Sequence, residues 1–231
     1  MELETLRDLY IDELKDLWSA EKQLVQALPR MAKAANDPRL AKAFNTHLKQ
    51  TERQVARLER IFKDLGESPR GKKCVGMEGL IEEGKELIKE KPEPQVLDAG
   101  LIAKAQHIEH YEIAGYGTVR TYAQVLGEER QAQLLQETLD EEGETDKLLT
   151  QLAENSINVE AAEAEGEEEE ETTSQRGRSR GKGATKRASS GTTERELERS
   201  TSVEDGATSG SGRGRTRTGG NATRESETSM R

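Results

Sequence analysis

Leu101-Ile102-Ala103-Lys104-Ala105-Gln106-His107-Ile108-Glu109-His110-Tyr111-Glu112-Ile113-Ala114-Gly115-Tyr116-Gly117-Thr118-Val119-Arg120-Thr121-Tyr122 is the stretch that decides the fold. At spacings of three and four it carries the stripe Leu101, Ala105, Ile108, Glu112, Gly115, Val119, Tyr122, continuing to Leu126. A second register, Ile102, Ala105, Glu109, Glu112, Tyr116, Val119, brings Glu109 onto the same face. This periodicity predicts one long helix over about 95–126, its inner face buried against other helices. A carboxylate inside such a stripe is strongly unfavourable unless something positive compensates it. Two of them, three residues apart and both inward, point to a metal ion as the leading partner.

Three more long helices are legible on either side. The first has Thr5 as N-cap with Asp8 three residues on, and a stripe of Tyr10, Leu14, Leu17, Glu21, Leu24 and Leu28. Pro29 is expected to kink it near its end. Asn36-Asp37-Pro38 supplies a turn, an N-cap and an N1 proline in succession. The second helix then runs to Leu65 and stops at Gly66, with the stripe Leu40, Phe44, His47, Thr51, Gln54, Leu58, Ile61. A short amphipathic helix, about 77–89, follows a loop, and Lys91-Pro92-Glu93-Pro94 breaks the chain before the long helix already described. Gly127 separates that helix from a last one, about 128–154, with the stripe Leu135, Thr138, Glu142, Thr145, Leu149, Leu152 and Glu141 beside it. Short turns at 36–38 and 127 make two hairpins, and the longer middle segment makes a crossover. The expectation is all-α: a ferritin-like four-helix bundle with one crossover and an extra short helix.

The composition sets the limits of that domain. The 231 residues are 32% hydrophobic, 3% aromatic and 35% charged, and no aromatic residue follows Tyr122. We therefore expect a folded bundle over 1–159 and a disordered, low-complexity tail over 160–231, which cannot bury enough apolar surface to order itself. The tail runs from an acidic block, Glu167 to Glu171, into the basic block Arg176-Gly177-Arg178-Ser179-Arg180-Gly181-Lys182. A net charge of −10 opposes nucleic-acid binding by the body, leaving weak, salt-sensitive anion or nucleic-acid contact to the tail. The single cysteine, Cys74, excludes an intramolecular disulfide. With neither a signal-peptide pattern nor about 20 consecutive apolar residues, the expected compartment is the cytoplasm, with no membrane contact. Gly-rich phosphate loops, G-x-S-x-G and H-E-x-x-H are absent, so the sequence names no catalytic residue and no reaction.

Helices rise about 1.5 Å per residue, so positions in a hairpin can be matched by counting from its turn. Glu21 then lies level with 50–52, His47 about one turn further, Glu112 level with Glu142 and Glu109 with Thr145. Each hairpin thus sets its polar positions at one height, halfway along an apolar stripe. Arg57 and Arg120 offer an alternative, a charge-paired polar core. Glu52, with Asn45 and Glu59, is expected to face away.

Several of these segments together resemble the YciF-like stress proteins of the ferritin-like superfamily. They are Ser19-Ala20-Glu21-Lys22-Gln23-Leu24, His47-Leu48 with Thr51, Cys74-Val75-Gly76-Met77-Glu78-Gly79-Leu80-Ile81-Glu82-Glu83, Glu109-His110-Tyr111-Glu112-Ile113-Ala114, and Leu135-Gln136-Glu137-Thr138-Leu139 with Glu141-Glu142. The resemblance covers about 3–157 and implies a helical bundle with an added short helix, a homodimer and a role in bacterial or archaeal stress responses. Against rubrerythrin-type di-iron bundles, Glu21 matches the lone first-helix glutamate, and Glu109 with Glu112 the E-x-x-E of the third. The second and fourth helices depart from E-x-x-H: Thr145 stands where histidine belongs, and His47-Leu48-Lys49-Gln50 is reversed with Gln for Glu. That departure implies a mononuclear or weaker site.

The candidate metal ligands are Glu21, Glu109, Glu112 and Glu142, with Glu141, His47 and Gln50 at the periphery. Hard carboxylate ligation favours iron or manganese. The expected function is a stress-response protein that binds iron or manganese and handles peroxide or ferrous iron. The alternative is a non-enzymatic dimeric module with a structural polar core and a partner-recruiting tail.

Overall fold

The computed structural model describes residues 3–164, and every element among them is helical. The order is α1 (Leu6–Ala34), α2 (Pro38–Leu65), α3 (Val75–Glu90), α4 (Pro94–Val125) and α5 (Glu129–Leu152). One π-helical turn, Ala153–Ile157, follows, and the helix then runs on over 158–164, past the boundary expected at 159. The other residues of the expected tail, 165–231, lie outside the described residues. No described helix is long and apolar enough to cross a membrane.

Local chemistry sets the boundaries. Thr5 and Asp8 form a reciprocal capping box at the start of α1, which continues through Pro29 to Ala34. Asp37 caps α2 by accepting from the Arg39 and Leu40 amides, with Pro38 at the first helical position. Gly66 ends α2 in the left-handed region at φ 72°, a conformation that costs a side-chain-bearing residue more. Cys74 Sγ caps α3 by accepting from Met77 N at 3.4 Å.

Helix α1 packs on α2 and α4, α5 packs on α4 and α2, and α3 lies across α1 and α4. The α1–α2 turn sits beside the start of α4: Asp98 accepts the Asn36 amide at 2.8 Å and the Asp37 amide at 2.7 Å. At the other end Tyr10 on α1 donates to Gln131 on α5 at 2.7 Å. Hence α1 and α5 point one way and α2 and α4 the other, with the crossover between α2 and α4. This is the one-crossover connectivity of ferritin-like folds. Asp98 is 4% exposed, so Asp98→Ala leaves two turn amides without their acceptor. We expect a loss of about 2 kcal/mol in urea unfolding, with Asp98→Asn retaining part of it.

Two apolar clusters fill the bundle. One holds Leu24, Leu28, Leu40, Phe44, Leu101, Ile108 and Leu149, with Met77 of α3 closing its side. The other holds Tyr10, Leu14, Leu58, Ile61, Phe62, Val119 and Leu135. In α4 the second register prevails beyond Glu112: Tyr116 and Ala123 are buried, whereas Gly115, Tyr122 and Leu126 are half-exposed. The reason is that Gly115 faces Leu17 across α1, where a Cβ would come within 2.7 Å of the leucine, so a glycine there lets α4 and α1 approach. Between the two clusters lies a polar layer.

Candidate metal centre

All four long helices contribute to that layer at mid-length. Glu21 of α1, His47, Thr51 and Gln54 of α2, Glu109 and Glu112 of α4, and Thr138, Glu142 and Thr145 of α5 are all buried. Glu21, Glu112 and Glu142 have no exposed surface. Each occupies a position where its helix would otherwise continue an apolar stripe, which is why burial follows from the fold and not from the chemistry of the side chain.

His47, Glu109, Glu112 and Glu142 each direct one ligand atom into a group whose members all lie within 4.8 Å of one another. His47 Nε2 is 3.3 Å from Glu109 Oε1 and 3.8 Å from Glu142 Oε2. Among the described residues, His47 Nε2, both oxygens of Glu112, and one oxygen each of Glu21, Glu109 and Glu142 have no hydrogen-bond partner. The remaining oxygens of the flanking acids are tied. Tyr116, fully buried, donates its hydroxyl to Glu21 Oε1. Gln54 Nε2 donates to Glu142 Oε1 at 2.5 Å and to Glu141 Oε2 at 3.1 Å. On the other side of the imidazole, Thr145 Oγ1 lies 3.3 Å from His47 Nδ1 and donates to the Glu141 carbonyl at 3.0 Å.

Burial dominates the electrostatics. It holds Glu21, Glu109 and Glu112 well above the usual carboxylate range, and their mutual repulsion adds to the effect. Burial also raises Glu142 to about 7 and lowers His47 to about 4. Tyr116 is pushed up by burial and by the Glu21 and Glu112 charges. No Lys or Arg nitrogen among the described residues comes within salt-bridge distance of these four glutamates. A compact anionic group with free oxygens and a neutral imidazole can hold a metal ion, because a cation supplies the charge the protein withholds.

A family model described as a domain of unknown function, DUF892, matches residues 5–162. The chain belongs to the DUF892 family. It is 46% identical over 162 residues to protein YciF of Escherichia coli (strain K12), spanning 70% of this chain and 98% of that protein. The crystal structure of the E. coli stress protein YciF superposes with a TM-score of 0.65, covering 67% of this chain and 98% of that one. YcfI from Rhodopseudomonas palustris, 38% identical, gives a TM-score of 0.63 over 64% of this chain and 95% of its own. The resemblance to YciF-like proteins read from the motifs therefore holds for the DUF892 bundle.

Within this DUF892 bundle the expected ligands separate into groups. Glu109, Glu112, Glu142 and His47 converge. Glu21 stands next to them, its free Oε2 buried beside the layer and its charge felt by Glu109 and Glu112. Glu141 turns aside: Arg57 grips it through two nitrogens at 2.7 and 2.9 Å, which lowers its pKa and leaves it partly exposed. Gln50 is half-buried and lies outside the convergent group. The neutral oxygen inside the layer comes from Gln54, whose Oε1 has no partner. Arg57 thus pairs directly with Glu141, its charge only lowering the pKa of Glu21 and Glu142 from a distance, and Arg120 reaches Gln136 at 3.0 Å. Glu52, as expected, is exposed.

Proposed function

We propose that the polar layer of this DUF892 bundle binds iron or manganese in a cytoplasmic stress-response protein that handles peroxide or ferrous iron. The observation that carries this reading is the convergence of His47, Glu109, Glu112 and Glu142, set in a layer where five buried carboxylate oxygens and one imidazole nitrogen, Glu21 Oε2 among them, have no partner. A purely structural polar core would pair those atoms, since each buried unsatisfied group costs about 1–3 kcal/mol and charged ones more.

His47, Glu109, Glu112 and Glu142 are the residues that would hold the ion, with Glu21 next to them. Iron or manganese supplies one-electron redox chemistry when bound, and carboxylate-rich ligation suits both. The protein's part is to fix the donors. Tyr116 and Gln54 each occupy one oxygen of Glu21 and Glu142, so each acid offers one free oxygen, whereas Glu112 offers two. The apolar clusters above and below keep bulk water from the layer. A second copy of the chain as partner, and weak polyanion contact through the basic segment 176–182, complete the proposal from the sequence.

Elemental analysis of protein expressed with added iron or manganese tests it. Wild type is expected to retain metal, and the folded Glu21→Ala/Glu112→Ala double variant to retain none. Background metal in both proteins would sink the proposal.

A further inference from the structure

We infer that Thr145 fixes His47 in the tautomer protonated at Nδ1, leaving the Nε2 lone pair facing the acids; this rests on the metal reading above. The Thr145 hydroxyl has one proton, and it is given to the Glu141 carbonyl one turn back at 3.0 Å. The same oxygen lies 3.3 Å from His47 Nδ1. With its own proton committed, the hydroxyl can only accept there, which requires a proton on Nδ1. An acceptor therefore meets Nδ1, and Nε2, which has no hydrogen-bond partner, is left facing Glu109 at 3.3 Å and Glu142 at 3.8 Å.

The consequence is chemical. A neutral imidazole has one lone pair, and only the nitrogen without a proton can ligate a metal. The opposite tautomer would direct an N–H toward Glu109 and have nothing to offer an ion. Outer hydrogen bonds of this kind set ring orientation and basicity at metal sites. Thr145 stands where the comparison with di-iron bundles places a histidine; here it is a positioning residue for the histidine of another helix.

Long-range proton–nitrogen correlation spectra of the metal-free protein at neutral pH test this, with His47 assigned through a His47→Gln variant. Wild type is expected to show a protonated Nδ1 and an unprotonated Nε2. Thr145→Val, similar in shape but without the acceptor, is expected to favour the opposite tautomer and to weaken Mn²⁺ binding in calorimetry about 10- to 100-fold. Thr145→Ser keeps both properties. A wild-type ring protonated at Nε2, a valine variant with unchanged tautomer, or a serine variant behaving like valine would each overturn the inference. Wild type that binds no Mn²⁺ defeats the metal reading instead, while the spectra still decide the tautomer.

Discussion

Replacing Glu112 with leucine is expected to raise the stability of the metal-free protein and to abolish its response to metal. Glu112 has no exposed surface and neither of its oxygens has a partner, so in the metal-free state it contributes a cost and no compensating bond. Leucine is close in volume and matches the apolar stripe above and below. Exchanging buried ionic groups for apolar ones of similar size gains about 1–4 kcal/mol in favourable cases, and a gain of about 2 kcal/mol is expected here. In wild type, Mn²⁺ at a hundred times its Kd adds about 2.7 kcal/mol, or roughly 5–10 °C in Tm for a domain of this size. The leucine variant should melt higher without metal and show no shift with it. A variant that melts several degrees below wild type without metal would mean that Glu112 is bonded in a way the layer does not show.

Metal-free protein is also expected to lose stability as pH rises above about 5. A carboxyl whose folded-state pKa lies above its unfolded value holds its proton more tightly when folded, so the contribution is complete below the unfolded pKa and disappears as pH rises through the folded one. Glu142, moved from 4.5 to about 7, accounts for on the order of 3 kcal/mol at about 1.4 kcal/mol per tenfold change in proton affinity. Glu21, Glu109 and Glu112 are raised as well and add to the decline from their unfolded pKa upward. His47 acts in the opposite sense: lowered from 6.5 to about 4, it penalises the fold as pH falls across that window. Between about pH 4.5 and 6.5 His47 offsets only one of these four acids, so the acids dominate across the whole range. Urea unfolding from pH 5 to pH 9 should therefore show stability falling from the start of the range, and saturating Mn²⁺ should suppress the fall. A metal-free profile that rises through pH 8 would contradict this.

The bundle was legible in the sequence because its signals are local. Thr5 with Asp8, Asp37 with Pro38, and Gly66 each mark a helix end by chemistry confined to a few residues. Counting from the turns put Glu112 level with Glu142 because a short turn fixes the register within a hairpin. It could not reach Gln54, since α2 and α5 share no turn and their register is set by side-chain packing across the bundle. The available hint was Gln54's place on the α2 stripe, one turn beyond Thr51. Glu141, beside the stripe and not on it, takes a different partner for an angular reason: one residue is about 100° of helix, enough to turn it from the layer to Arg57. The α4 stripe was ambiguous between two registers until the close approach of Gly115 to Leu17 selected one. Composition set the expected boundary at 159, yet Glu160-Ala161-Ala162-Glu163-Ala164 are strong helix formers that extend α5 without needing burial.

The polar layer also acts as an alignment key. Apolar stripes of Leu, Ile, Phe and Val are forgiving, and helices lined only with them can slide by one turn, about 5.4 Å, and still find greasy neighbours. In this bundle such a slip would carry Glu21, Glu112 or Glu142 into a wholly aliphatic slab and strand His47 from Thr145. The same side chains that make the middle of each helix costly therefore leave four helices one way to stand beside each other.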